Sequence, residues 1–173
     1  YKYISNGKYY LSMCRLSPDK NVDRIIRAFQ QMPDKTLYFG GFGPDKDKLL
    51  NMAKGYKNIN FLGFLSEKQL REVVGKSIAM ISASENEDFS MNLIESLAAG
   101  KPTISSNPDR EHKGMVITKT GIYLENSQPE NIIKAVKYLK VEQAVKMKKD
   151  CMERAKLYSL DNFVNTLISA LTK

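Results

Sequence analysis

Short apolar runs closed by glycine or proline alternate, over most of this chain, with segments whose apolar residues recur at helical spacing. A run of this kind suits a strand buried on both faces, while recurrence at i, i+3, i+4 and i+7 suits an amphipathic helix. Residues 8–14 (KYYLSMC) lie between Gly7 and Pro18 and read as the first strand. Val22, Ile25, Ile26 and Phe29 then keep helical spacing as far as Pro33-Asp34. Further strands are expected at 36–40, 58–62, 77–81, 102–105 and 121–124. Helices are expected at 46–54, from an N-cap at Ser66 to Gly75, and at 92–99 with Gly100 in the C′ position. Three helices close the chain; the last has one stripe of Leu160, Phe163, Val164, Leu167, Ile168 and Leu171. They are expected to pack as a tail on the domain. The alternation predicts an α/β fold: a doubly wound parallel sheet of about six strands, helices on both faces and a C-terminal helical tail.

Composition narrows the chemistry. The 173 residues, 42% hydrophobic and 27% charged, suffice for one domain with its own core. Cys14 and Cys151 belong to no C-x-x-C pair, which points to a reducing compartment and away from a cysteine-ligated metal. The single histidine, His112, disfavours His-rich metal sites and reads as an exposed loop residue. No apolar run approaches the ~18 residues of a membrane span. Lys and Arg number 27 against 19 Asp and Glu, a net +8 that attracts polyanions. Aromatic residues do not interleave with the basic ones as a single-strand platform requires, so a small phosphorylated ligand is expected and nucleic acid is not. The chain opens Tyr1-Lys2-Tyr3, without an initiator Met or a secretory apolar segment, and is read as part of something longer.

Ligands of open α/β sheets bind outside the C-terminal ends of the strands. Arg15 to Lys20 follow the first predicted strand, Gly40-Gly41-Phe42-Gly43-Pro44 the second and Gly63-Phe64 the third. An acidic loop with Glu85, Glu87 and Asp88 follows the fourth, and Glu95 comes one element later. Cations for a diphosphate, carboxylates for sugar hydroxyls and bare backbone for close approach suit a sugar nucleotide.

On these residues the chain resembles the donor-binding, C-terminal domain of retaining GT-B glycosyltransferases, the Glycosyl transferases group 1 family. The likeness rests on RLSPDKN at 15–21, GGFGP at 40–44, FLGFL at 61–65 and EDFSMNLIESLAAGKP at 87–102, which holds the E-x7-E pair as Glu87 and Glu95. It implies a Rossmann-like sheet in which Arg15 and Lys20 hold the donor diphosphate. Glu87 would stand beside the donor sugar as the catalytic glutamate, and Glu95 would take the ribose hydroxyls. Gly41 and Gly43 would allow close approach. Phe89, Ser90, Met91, Asn92 and Leu93 would bring backbone N–H groups to phosphate and sugar at a helix N-terminus. Phe64, with the stretch 61–65, would border the base. Ser90 stands where most members carry Gly, which requires a backbone conformation open to side chains. Other readings stand beside these. Without the family pattern Arg15 and Lys20 read first as solvated loop charges; Gly41 and Gly43 also read as turn glycines, and Glu87 as one of three exposed acids. Asn92-x-x-Glu95 has capping-box spacing.

The resemblance implies transfer of a sugar from a nucleoside diphosphate to an acceptor hydroxyl with retention. The EDF segment and the RLSPDK loop look most like GDP-mannose enzymes, with UDP-sugars the alternative. No metal or other cofactor is expected. Residues 1–173 would be one nucleotide-sugar domain, the C-terminal half of a two-domain enzyme and inactive without its N-terminal half. The acceptor, a saccharide or a lipid-linked saccharide, would bind that missing half, and the last helix would lie near the junction. A cytoplasmic setting is expected, with peripheral association at the inner membrane surface left open. The competing classes are a non-catalytic nucleotide-sugar binding module and a GT-B-fold epimerase or phosphorylase.

Overall fold

The computed structural model describes residues 1–5, 7–85, 90–106 and 118–172. Glu87, Phe89 and His112 lie outside the described residues. The strands are β1 (Tyr9–Met13), β2 (Thr36–Gly40), β3 (Ile59–Gly63), β4 (Met80–Ser82), β5 (Thr103–Ser105) and β6 (Gly121–Tyr123). The helices are α1 (Val22–Gln30), α2 (Lys46–Ala53), α3 (Glu67–Lys76), α4 (Met91–Ala98), α5 (Pro129–Tyr138), α6 (Val141–Lys156) and α7 (Leu160–Leu171). The strands form one sheet in the order β3-β2-β1-β4-β5-β6, and every pair is parallel. The fold is the doubly wound, Rossmann-like α/β sheet that the alternation implied.

The two-residue period of each strand sorts its side chains between two helical layers. Tyr10, Leu37, Phe39, Ile59, Ile81 and Ile104 share one core with Ile25, Ile26 and Phe29 of α1, Leu49 of α2 and Ile132 and Val136 of α5. Leu11 and Met80 face the other way, against Val74 of α3 and Leu93 and Ile94 of α4. Tyr1 and Tyr158, from opposite ends of the sequence, both pack on this second cluster. Cys151 and Ala155 seat α6 against Leu97 of α4.

Local signals act where they were read. The Ser66 side chain accepts from Gln69 N–H, and the Gln69 side chain accepts from Ser66 N–H, a closed capping box. Gly100, at φ 68, ends α4. Its N–H bonds the Leu97 carbonyl at 2.9 Å and Lys101 N–H bonds the Ser96 carbonyl at 2.9 Å, the paired bonds of a Schellman motif. The fourth strand differs from the expectation of 77–81. Ile78 N–H and the Ala79 carbonyl bond β1 at its near end, but the continuous ladder runs through Met80–Ser82.

The closing helices part company. Helix α6 is packed, but α7 buries nothing: Leu160 is 74% exposed, Phe163 63% and Leu171 77%. The expected packing of the whole tail is therefore corrected. The apolar stripe is real, and no described element lies over it.

The lead-in to β1 is tied down. Ile4 N–H bonds the Gly75 carbonyl at 3.0 Å. The Tyr3 ring receives two ammonium groups, Lys101 Nζ 4.0 Å and Lys148 Nζ 3.8 Å from its centroid. Lys101 also donates to the Ser5 carbonyl at 2.5 Å. Burial, with Lys148 nearby, pulls the Lys101 ammonium down to about 8.

Candidate functional site

In this strand order the chain reverses direction between β1 and β4, so the connections leaving those strands diverge and open a crevice at the C-terminal edge. A cleft of about 610 Å³ lies there. Its lining comes from the end of β1 (Met13, Cys14, Arg15), the end of β2 (Gly40, Gly41, Phe42), the turn after β3 (Phe64, Leu65), Leu70 of α3 and Glu95 of α4. Arg15, Gly41, Phe64 and Glu95, far apart in sequence, thus share one wall system. Lys20 and Gly43 are not among the lining residues.

Backbone contact between loops sets the shape. Gly41 has φ 125, and a Cβ there would stand 2.0 Å from the Cys14 carbonyl oxygen. A Cβ on Gly43 would stand 2.2 Å from the Leu16 carbonyl oxygen. These glycines let the loop after β2 lie directly on the loop after β1. Gly41 does this at the cleft wall; Gly43 does it away from the cleft. Leu16 N–H then bonds the Phe42 carbonyl at 2.9 Å, and Gly41 N–H bonds the Gly63 carbonyl at 2.9 Å, which joins three strand-end turns into one unit.

Arg15 is exposed at the rim. Lys20 closes a one-turn 3-10 helix, Pro18–Lys20, where it pairs with Asp19 at 3.2 Å. Asn21 follows in the left-handed region at φ 48, and its side-chain amide donates to the Ala83 carbonyl at 3.0 Å. The loop after β1 is thereby tied to the loop after β4. Arg24, in α1, strengthens the tie by donating to Glu85 at 2.7 Å and also to the Ser127 hydroxyl. The Ser127 hydroxyl and N–H hold the Glu85 carboxyl below its ordinary range, with Arg24 adding to the effect. Glu85 is therefore an anchor and not one of a set of equivalent exposed acids.

Helix α4 begins one residue before the expected start. Its N-cap is Ser90, at φ −93 and ψ 90, a conformation that any residue adopts. A serine in the place of the family's usual glycine thus costs no backbone strain. Ser90 is buried, Met91 points out and Leu93 is in the core. Because the cap is Ser90, Asn92 and Glu95 do not have N-cap and N3 positions, and the capping-box reading of this pair is corrected. The Asn92 amide instead donates to the Met13 carbonyl at the end of β1, while its buried Oδ1 has no partner among the described residues.

Glu95 lies in the second turn of α4, half-buried, and lines the cleft. Burial pushes its carboxyl above the ordinary range, opposed by a hydrogen bond from the Tyr1 hydroxyl and by Arg71. Arg71 itself lies 5.3 Å from the Tyr1 ring centroid. Sequence reasoning missed Tyr1, Leu70, Met13 and Phe42. Phe42 left a readable signal, a bulky apolar residue inside a glycine turn; the others became neighbours only through the fold. A second depression, of about 700 Å³, runs along α3 between Tyr1, Glu67 and Arg71, away from the strand ends. Among the described residues, no group of three His, Cys, Asp or Glu side chains is arranged to hold a metal ion.

A basic rim residue, a half-buried carboxylate and apolar walls at a switch-point crevice can take an anionic ligand with hydroxyl groups and a flat apolar part. The family model described as Glycosyl transferases group 1 matches residues 3–158. The chain is 26% identical, over 91% of its length and 42% of the relative's, to a GDP-mannose-dependent alpha-(1-6)-phosphatidylinositol dimannoside mannosyltransferase of Mycobacterium tuberculosis. It is 26% identical, over 72% of its length and 33% of the relative's, to the alpha-monoglucosyldiacylglycerol synthase of Acholeplasma laidlawii. Among solved structures, S. aureus TarM in complex with UDP superposes with a TM-score of 0.84 at 17% identity, over 97% of this chain and 36% of TarM. The chain thus spans between a third and about two fifths of the length of these curated relatives.

Proposed function

Since the chain belongs to the Glycosyl transferases group 1 family, we propose that it is the donor-binding part of a retaining glycosyltransferase that takes its sugar from GDP-mannose. The observation that carries this reading is the meeting of Arg15 and Glu95 on one cleft at the C-terminal edge of the sheet. The guanidinium offers paired N–H donors to a diphosphate. The carboxylate offers two acceptors to a ribose diol.

In the reaction the diphosphate leaves, and charge grows on its oxygens. Arg15, on the cleft wall, would meet that charge with the N–H groups that open α4; Lys20, carried over from the family pattern, sits on the same loop outside the lining. Glu87, which lies outside the described residues, would take the place beside the sugar that the family pattern gives it. The charge is met by the protein's own cations, without a metal. GDP-mannose is favoured by the EDF and RLSPDK segments; the mannosyltransferase relative is named for the same donor. S. aureus TarM, solved in complex with UDP, keeps UDP-sugars as the alternative to be tested. The acceptor, a saccharide or lipid-linked saccharide, would bind in the part of the relatives' length that this chain does not span. The protein would work in the cytoplasm, with peripheral contact at the inner membrane surface where the acceptor is lipid-linked. No helix among the described residues is long and apolar enough to cross a membrane.

Calorimetric titration with GDP, GDP-mannose, UDP and UDP-glucose tests the reading. Arg15→Ala should weaken diphosphates by about ten- to a hundredfold, for a charge-assisted contact of roughly 1.5–3 kcal/mol, and weaken the monophosphate less. Equal losses for nucleoside, monophosphate and diphosphate would refute the phosphate role.

A further inference from the structure

Tyr1 lines the depression along α3 and not the cleft, yet its hydroxyl hydrogen-bonds the Glu95 carboxylate, which belongs to the cleft wall. The segment that carries Tyr1 is fixed. Ile4 N–H and Ser5 N–H both bond the Gly75 carbonyl, at 3.0 and 3.3 Å. A Cβ on Gly75 would stand 2.5 Å from the Lys2 carbonyl oxygen, so the segment lies on the end of α3 closer than a side chain would allow. The Tyr1 ring packs on the cluster that holds Val74 of α3 and Leu93 and Ile94 of α4. The Arg71 guanidinium covers the ring at 5.3 Å and is itself paired with Glu67.

Packing accounts for the ring and leaves the hydroxyl unexplained, since phenylalanine would fill the same space. Burial, with the Glu95 carboxylate beside it, pushes the Tyr1 phenol up, so it keeps its proton and serves as a donor. A carboxylate has about four acceptor positions on its two oxygens. One donor from Tyr1 leaves enough for a diol. A ligand that must first order a glutamate side chain loses affinity in doing so. A glutamate already held by a fixed tyrosine spares it that loss.

We infer that Tyr1 is a positioning residue of the donor site: its hydroxyl orders the Glu95 carboxylate and leaves the remaining acceptors to the ribose diol. This rests on the reading of Glu95 as the ribose carboxylate. Tyr1 acts through Glu95 and touches no ligand. With residues 1–5 tied to α3 and the Tyr1 hydroxyl tied to α4, the lead-in to β1 is part of the frame of the site. The bond also helps to keep Glu95 ionised. Among the described residues, the titratable groups around Glu95 are the Tyr1 hydroxyl and amino group, Arg71 and Glu67 of α3, and Arg15 and Cys14 in the cleft lining. Burial raises the carboxyl; the Tyr1 bond, the amino group and Arg71 oppose the rise, and Glu67 adds to it. Without the Tyr1 bond the carboxyl rises further, and a ligand that needs it ionised is lost at a higher pH.

The test is calorimetry on the chain, Tyr1→Phe, Glu95→Gln and the double variant between pH 5 and 7. The probes are GDP, UDP, their 2′,3′-dideoxy forms and inorganic pyrophosphate. Phenylalanine keeps the ring, so the melting temperature should be nearly unchanged. At pH 7, Tyr1→Phe should weaken GDP and UDP about fivefold and leave the dideoxy forms and pyrophosphate unchanged. The loss should grow towards pH 5, and the acid limb of GDP affinity should lie at a higher pH than in the unaltered chain. Titration of the phosphate is common to both chains and cancels in the comparison. In the Glu95→Gln background, Tyr1→Phe should cost nothing further. No loss on Tyr1→Phe, with Glu95→Gln still weakening GDP and UDP, would overturn the inference and leave the ribose reading standing. An equal loss for pyrophosphate, or an unshifted acid limb, would also overturn it, because Tyr1 would then act through the fold. If Glu95→Gln weakens neither GDP nor UDP, the ribose reading fails and the inference fails with it.

Discussion

Glu95 carries two demands that pull apart. Burial raises its carboxyl, so the ionised form costs the fold something at neutral pH. The same ionised form is the one that binds a ribose. A group whose folded pKa is raised contributes stability below its unfolded value and loses it as pH rises through the folded value. At pH 7, Glu95→Gln should therefore melt at or slightly above the temperature of the unaltered chain. It should bind nucleoside diphosphate about tenfold more weakly, ~1.4 kcal/mol. A melting point lowered by several degrees with affinity intact would show a structural part for Glu95. Lys101 gives a second residue-scale test. Its folded pKa, about 8, lies below the ordinary lysine value. Between these values the unfolded chain binds the extra proton, so stability should rise from pH 8 towards 9.5. From about pH 9 the raised Cys151 thiol opposes the rise, and above about pH 10 the raised tyrosines, Tyr9 and Tyr10, reverse it. Lys101→Met should flatten the rise, which thermal melts across that window would measure. At this scale the sequence was legible where a motif marks the position itself, as at Arg15, Gly41 and Glu95. It misled at Asn92, because a helix start with Ser90 and Asn92 two residues apart offers two caps, and only tertiary contact decides between them.

Among elements, the strands and helices were readable because parallel strands covered on both faces are unbroken apolar runs, and glycine or proline ends each one. Periodicity also revealed the amphipathic stripe of α7. It could not show that the stripe lacks a partner, since a hydrophobic period reports which face wants burial and is silent on what buries it. Deleting residues 160–173 should leave the melting temperature unchanged within a degree or two, because α7 contributes no buried residue. Light scattering should show less self-association, as an exposed apolar face is removed. The tie of α1 to the turns after β4 and before α5, through Arg24, Glu85 and Ser127, was invisible in the sequence because its members are spread over three segments. Arg24→Met should cost about 1 kcal/mol, since the ion pair is part-exposed. Glu85 has a depressed carboxyl, so its share of stability is present above the ordinary carboxylate pKa and is lost as pH falls through the folded value. Denaturant melts at pH 7 and pH 3.5 should show the variant's deficit shrinking at the lower pH.

At the scale of the whole molecule, Tyr1 and Tyr158 pack on the same apolar cluster beside Leu93 and Val74, so both extremities of the folded body leave from one face of the sheet. Connectivity is then separable from architecture. A circular permutant that joins residue 158 to residue 1 through a short glycine-serine linker should fold with the same strand order when new ends are opened at Gly55, an exposed turn position at φ 89 with open space around it. Opening there leaves each strand whole and separates only α2 from β3, whose pairing to β2 is set by side chains on both. The permutant should keep the circular dichroism spectrum and cooperative melting of the parent. What defines this body is thus the circular succession of its elements, and the point at which the ribosome begins to read that circle is incidental to its folding.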